Sequence, residues 1–216
     1  WELFSQDFLC GSLAVDIRGT LWATCPDFLT RLVDGRWVDV PEAWAAQSVA
    51  AGPDGSVWFV SFDATKDDPF DLWRFDGSRW TIIAPCEDCL GPRSILGVDD
   101  QGGAWVARGG CGLRETTRFD PTGEARSFDI RGARDIAFGP GGDAWIALPC
   151  EDAGTQAGLA HIVDGEITLL TTDDGLPAND VHAVEIGPNG HVYIGTEYGV
   201  SRYLRDAGTW EMVGTQ

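Results

Sequence analysis

A chain of 216 residues with 28 glycines and 11 prolines can bury one substantial core and is rich in turn formers; its apolar runs are too short for a transmembrane helix. Its 34 acidic against 15 basic side chains give a formal charge of −19, which argues against nucleic acid and against insertion at anionic membranes. An acidic surface suits solubility outside the cell, or a cationic ligand or metal. The chain opens at Trp1 with neither a methionine nor a signal peptide, and reads as a mature or excised segment.

In chain order, Trp1-Glu-Leu-Phe4 reads as an outer strand, matched at the far end by Trp210-Glu-Met-Val213. Between them lie five units of four short strands each, at 12–40, 48–84, 94–129, 134–171 and 182–213; in the first unit the strands are predicted near 12–17, 20–25, 29–34 and 36–40. Every unit carries a pivot glycine, Gly19, Gly55, Gly102, Gly142 and Gly190, three residues before an aromatic, Trp22, Trp58, Trp105, Trp145 and Tyr193. A type I turn closing a hairpin needs a left-handed residue at its end, which glycine supplies without steric cost. Strand-like units recurring at about forty residues are the mark of a β-propeller. The expectation is an all-β, single-domain propeller over residues 1–216, with five four-stranded blades and an extra N-terminal outer strand. That strand either adds outside blade five or belongs to a propeller with more blades.

Each third strand bears a basic residue ahead of an aspartate: Arg31, Arg74, Arg118, His161 and Arg202, with Asp34, Asp76, Asp120, Asp164 and Asp206. Fivefold recurrence marks scaffold. The aspartates are expected to cap turns and the basic stems to cover apolar surface.

Six cysteines, Cys10, Cys25, Cys86, Cys89, Cys111 and Cys150, are an even number and fit an oxidising compartment. All fall in loops expected on one face of the propeller. Two pairings are open: Cys10–Cys25, Cys89–Cys111 and Cys86–Cys150, or Cys86–Cys89 with Cys111–Cys150. The Cys86-Glu-Asp-Cys89 spacing lacks the second pair of a zinc ribbon and the helix of a redox dithiol.

The segment from Thr171-Thr-Asp-Asp-Gly-Leu-Pro-Ala-Asn-Asp-Val-His-Ala-Val184 to Tyr193-Ile-Gly-Thr-Glu-Tyr-Gly-Val-Ser-Arg-Tyr203 resembles the two-component regulator propeller repeat. The match is specific over blade five, fair over blade one, and reduced to hairpin and tryptophan elsewhere. The resemblance implies the extracytoplasmic sensor portion of a bacterial signalling protein, recognising ligands or partner subunits. The hairpin Gly52-Pro-Asp-Gly-Ser-Val-Trp-Phe59 is also similar to repeats of virginiamycin B lyases, which use a metal-assisted His/Glu site. With only His161, His182 and His191, the chain does not match that constellation.

No nucleophile elbow, phosphate loop or metal-ligand helix stands out, so no catalytic or metal-binding residue is assigned. Ligands are expected in the central depression on the face bearing the inter-blade loops. The candidate binding residues are Gln47, Arg93, Arg108, Arg134, Asp135, His182 and Glu197. Arg93, Arg108 and Arg134 form a basic sector suited to a carboxylate or sulfate, unless they pair with Glu87, Asp88, Glu151 or Asp152. The function expected is a non-catalytic extracellular or periplasmic recognition module for a small molecule, a glycan or a protein partner. The alternatives are a lyase or glycoside hydrolase working through carboxylates, and a structural subunit of a surface assembly. No cofactor is expected, although the Asp63–Asp71 insert has oxygens for Ca²⁺ without EF-hand spacing.

Overall fold

The computed structural model describes residues 11–25, 28–67, 70–85, 94–108, 115–149, 156–204 and 207–214. Twenty strands form five four-stranded sheets, each a meander in chain order. The first sheet holds β1 (Ser12–Val15), β2 (Leu21–Cys25), β3 (Phe28–Val33) and β4 (Arg36–Trp44). The second holds β5 (Ala46–Ala51), β6 (Val57–Phe62), β7 (Phe70–Phe75) and β8 (Trp80–Pro85). The third holds β9 (Ser94–Val98), β10 (Ala104–Arg108), β11 (Glu115–Phe119) and β12 (Ala125–Arg131). The fourth holds β13 (Asp135–Phe138), β14 (Ala144–Pro149), β15 (Ala157–Val163) and β16 (Glu166–Leu170). The fifth holds β17 (Val181–Ile186), β18 (Val192–Thr196), β19 (Gly199–Leu204) and β20 (Thr209–Val213). The fold class is that of a β-propeller with five four-stranded blades. The extra strand expected at Trp1–Phe4 lies outside the described residues.

The pivot glycines do what their spacing requires. Gly19, Gly55, Gly102, Gly142 and Gly190 have φ of 79°, 82°, 78°, 83° and 75°. Each amide donates to the carbonyl three residues earlier, at distances from 2.8 Å (Gly190 to Gly187) to 3.2 Å (Gly142 to Gly139). The outermost strand of the first blade is longer than expected. β4 runs through Pro41 to Trp44, beyond a register shift at Phe28/Leu29, and an outermost strand tolerates a proline that cannot donate to a ladder.

The third-strand aspartates divide. Asp76 and Asp120 cap turns, accepting from the amides of Ser78 and Arg79 and of Thr122 and Glu124. Asp34 and Asp164 instead take positive φ ahead of Gly35 and Gly165, which makes two-residue hairpins of the I′ kind. Asp206 lies outside the described residues.

The chain divides into two compact units, Trp1–Val106 with Arg118–Arg126, and Ala107–Thr117 with Ser127–Gln216. In the first, β5 lies against β1 and β9 against β5. Trp22, Val49, Val57 and Phe59 fill one layer of its core, and Trp58, Val60, Leu72, Val106 and Phe119 the next. Trp80 packs edge-on to Trp22 and Phe59, with ring centroids 6.1 and 5.0 Å away. Burying a side chain such as Phe59 contributes about 2–3 kcal/mol. In the second unit β17 lies against β13 and β14, and Trp145, Ala147, Leu159, Val181, Val184 and Ile194 form the layer between them.

The third-strand cations do more than lay their stems on apolar surface. In the first four blades the heads sit over the first-hairpin tryptophan or on a hairpin carboxylate, whereas Arg202 pairs with Glu211 of β20. Arg31 and Arg74 lie over Trp22 and Trp58, 5.6 and 5.7 Å from the ring centroids. Arg74 also reaches Asp54 at 3.2 Å, Arg118 pairs with Asp99, and His161 bonds Asp143 at 3.0 Å while stacking on Trp145. Trp22, Trp105 and Trp145 donate their indole N–H to Asp16, Asp99 and Asp143.

Candidate ligand site

In three blades the first strand begins irregularly at one repeat position, eight residues before the pivot glycine. In the second blade Gln47 is extra, because Ala46 faces Ser61 and Ser48 faces Val60. In the fifth His182 is extra, between Val181 facing Thr196 and Ala183 facing Gly195. In the fourth, the Arg134 amide donates to Ala147 O at 2.9 Å although Asp135 already faces Ala147. A bulge turns the extra side chain out of the ladder, and bulges commonly re-aim residues beside functional sites.

Arg134 and His182 meet. The Arg134 guanidinium donates to His182 Nδ1 at 2.6 Å, which places the imidazole proton on Nε2, facing Asp180 Oδ2 at 3.4 Å. The other carboxylate oxygen, Asp180 Oδ1, is buried without a hydrogen-bond partner. A carboxylate, an imidazole and a guanidinium thus form a fixed line, with one acceptor uncommitted.

The loop that delivers Asp180 is built as a rigid frame. Thr171 caps a 3-10 turn at Thr172–Asp174, whose last carboxylate reaches back to the Thr171 amide at 3.0 Å. Gly175 takes φ 92° to end the turn, and Leu176 buries itself in the core beneath. Asn179 Oδ1 then accepts from the Thr172 amide at 2.8 Å and closes the loop. The segment read as a family signature is therefore a self-bonded platform.

Beside the platform is a cavity of about 450 Å³. Thr172, Asn179, Asp180, Glu197 and Tyr198 supply its polar lining, and Pro149, Pro177 and Ala178 the apolar part. Glu197 and Tyr198 occupy the turn between β18 and β19, held by the Tyr198 amide on Thr196 Oγ1 at 3.2 Å. Two carboxylates therefore line one cavity, with the His182–Arg134 pair behind Asp180.

Of the candidate residues, Glu197 lines this cavity, and Arg134 and His182 adjoin it through Asp180. Asp135 is engaged otherwise: Oδ1 takes the Ile136 amide and Oδ2 the Val184 amide, each at 3.0 Å. Gln47 is exposed and donates to Ala45 O at 3.3 Å. Arg93 and the side chain of Arg108 lie outside the described residues, as do Cys10, Cys86, Cys89, Cys111 and Cys150. Cys25 is buried and disulfide-bonded. In the Asp63–Asp71 insert, Asp63 accepts from Thr65, and the Lys66 ammonium pairs with Asp71. No group of three or more metal-ligating side chains occurs among the described residues. Thr172, Asn179 and Tyr198 were absent from the sequence reading of the loop face, and Asp180, which enters the fifth blade's first strand there, was not among the candidates. For Asn179 and Asp180 the signal was the Asp-Gly-Leu-Pro-x-Asn-Asp loop, which sequence alone presents as a turn.

The class these features define is a repeat β-propeller with a polar cavity among its loops. No family model matches the chain, and no curated protein matches it in sequence. Among solved structures, the chain is similar to the extracellular domain of a hybrid two-component system from B. thetaiotaomicron, at TM-score 0.64 and 16% identity over 95% of this chain and 30% of that one. It is also similar to a streptogramin B lyase, at TM-score 0.68 and 18% identity over 98% and 71%. YCF48 bound to a D1 peptide is similar at TM-score 0.61 and 15% identity over 94% and 66%. These include both kinds of propeller that the repeats resemble. The chain spans under a third of the length of the two-component system domain.

Proposed function

We propose that the chain is a non-catalytic recognition module, exported to the periplasm or cell exterior, which binds a small polar molecule or a glycan in the cavity beside Asp180. The observation that carries this reading is the cavity itself, lined by two carboxylates and an amide on a self-bonded platform. Such a surface can order a ligand's hydroxyl or amine donors with little loss of its own conformational freedom. The disulfide at Cys25 and the likeness to the extracellular domain of a two-component system support export. The test is calorimetric titration of the chain with panels of mono- and oligosaccharides and of polar amines. Asp180→Asn and Glu197→Gln are expected to weaken a hit at least tenfold, with unchanged melting. Binding that survives both changes assigns the ligand elsewhere.

A second reading rests on the same two carboxylates: two carboxyl groups lining one cavity are the groups a glycoside hydrolase or lyase needs. Turnover of a bound ligand, abolished by either change, would decide for it.

A further inference from the structure

The basic sector expected from sequence suits an anion, whereas the cavity beside Asp180 carries the opposite sign. Among its described lining residues the charged side chains are Asp180 and Glu197, and all of that lining belongs to the second compact unit. Arg134, the member of the basic sector whose guanidinium is described, is engaged by His182 Nδ1 at 2.6 Å. An imidazole that accepts at Nδ1 is uncharged, and it stands between the guanidinium and Asp180, with Nε2 3.4 Å from Asp180 Oδ2. Asp180 Oδ1 has no hydrogen-bond partner, and Glu197 takes none among the described residues.

Two like charges lining one cavity repel each other, and the chain's formal charge of −19 deepens the same potential. A cation entering the cavity relieves that repulsion and meets acceptors that the protein itself leaves unfilled. Hydrogen bonds from an ammonium to a carboxylate are about twice as strong as those between neutral groups. The remaining lining suits the carbon that carries such a group. Pro149, Pro177 and Ala178 offer apolar surface, and the Tyr198 ring has a face that attracts cations. Asn179 commits its Oδ1 to the Thr172 amide, which leaves Nδ2 as a donor for a ligand oxygen.

We infer, resting on the reading of this cavity as the ligand site, that its ligand is a protonated amine whose ammonium is held by Asp180 and Glu197. The carbon stem lies on the prolines and Tyr198. A sugar ring and a short alkyl chain can both carry the ammonium, and the choice of probes separates them.

The test is calorimetric titration of the chain, at low salt and near pH 7, where primary amines are largely protonated. The probes are D-glucosamine against D-glucose and N-acetyl-D-glucosamine, and 1,4-diaminobutane against 1,4-butanediol. At least one amine is expected to bind at least tenfold more tightly than its neutral counterparts, and which of the two binds identifies the stem. Asp180→Asn and Glu197→Gln keep the shape of the side chain and remove its charge. Each is expected to erase the preference for the amine with unchanged melting; Glu197→Gln alone serves should Asp180→Asn not fold. The preference should also shrink as salt is raised, because mobile ions screen it. Three results overturn the inference. Glucose bound as tightly as glucosamine, and lost in both variants, makes the ligand a neutral sugar and leaves the cavity reading standing. Failure of both amines to bind at millimolar concentration removes the ammonium from the site and leaves the cavity to neutral saccharides. Amine binding that survives both substitutions overturns the inference and the cavity reading together.

Discussion

The carboxylate of Asp135 accepts the backbone amide of Val184 at 3.0 Å, tying the first strand of the fourth blade to that of the fifth. Expected from sequence to greet a ligand, Asp135 is occupied as a seam. Asp135→Ala leaves a buried-side amide unpaired and is expected to cost about 1–3 kcal/mol, while Asp135→Asn, which keeps an acceptor, costs less. Urea unfolding of the two variants checks this. Equal stability of wild type and Asp135→Ala would return the residue to the candidate site.

Asp99 is buried and takes bonds from the Trp105 indole at 2.8 Å, the Gly103 amide at 2.9 Å and the Arg118 guanidinium. Burial pushes its carboxyl up, but those donors outweigh burial and hold it below its ordinary value of 3.8. A depressed folded value means that the stabilisation is complete above the unfolded carboxylate range and is lost as pH falls through the folded one. The stability gap between wild type and Asp99→Asn should therefore be constant from pH 5 to 8 and shrink below about pH 4. Arg118→Lys, which cannot reproduce the planar fork, is expected to lose about 1–3 kcal/mol. Denaturant titrations across that range measure both.

How far this architecture could be read from sequence follows from what repeats. The pivot glycines stand at a fixed offset from the aromatics, so the hairpins, and through them all five sheets, were legible. The acids that clasp the tryptophans were not. Asp16 and Asp99 lie three residues before their pivot and Asp143 one after, while in the second blade Trp58 bonds Ser56, which in turn bonds Asp54, so alignment hides a role the side chains share in space. Gly103 shows the same limit. It reads as a second turn glycine, yet a Cβ there would stand 2.5 Å from the Arg118 guanidinium. The Arg134–His182 contact joins residues 48 apart, and its only trace in sequence is their common distance from a pivot.

The Asp63–Asp71 insert already contains its own cation. Lys66 sits on Asp71, and Thr65 donates its hydroxyl to Asp63 Oδ1 at 2.6 Å. Calcium would have to displace the ammonium. Millimolar CaCl₂ or EDTA is therefore expected to leave the wild-type Tm unchanged, whereas Lys66→Ala frees Asp71 and should create a calcium-dependent rise. Differential scanning fluorimetry distinguishes the cases, and a calcium response in the wild type would place a metal in this loop.

Gly158 in β15 has φ of 119°, a conformation that disfavours any side chain, and a Cβ built on it would stand 2.2 Å from the Leu170 carbonyl oxygen. That carbonyl belongs to the last residue of β16, immediately before the capped loop that carries the cavity. Gly158→Ala must therefore push the end of β16 away or unpair it. The backbone conformation alone costs of order 1–3 kcal/mol, and the clash adds to it. Because the displaced strand leads into Thr171, the capping box should loosen with it, so amides from Thr171 to Leu176 are expected to exchange faster while β1–β8 are unaffected. A variant that is destabilised but keeps normal protection at Thr171–Leu176 would show that the loop holds itself together independently of β16.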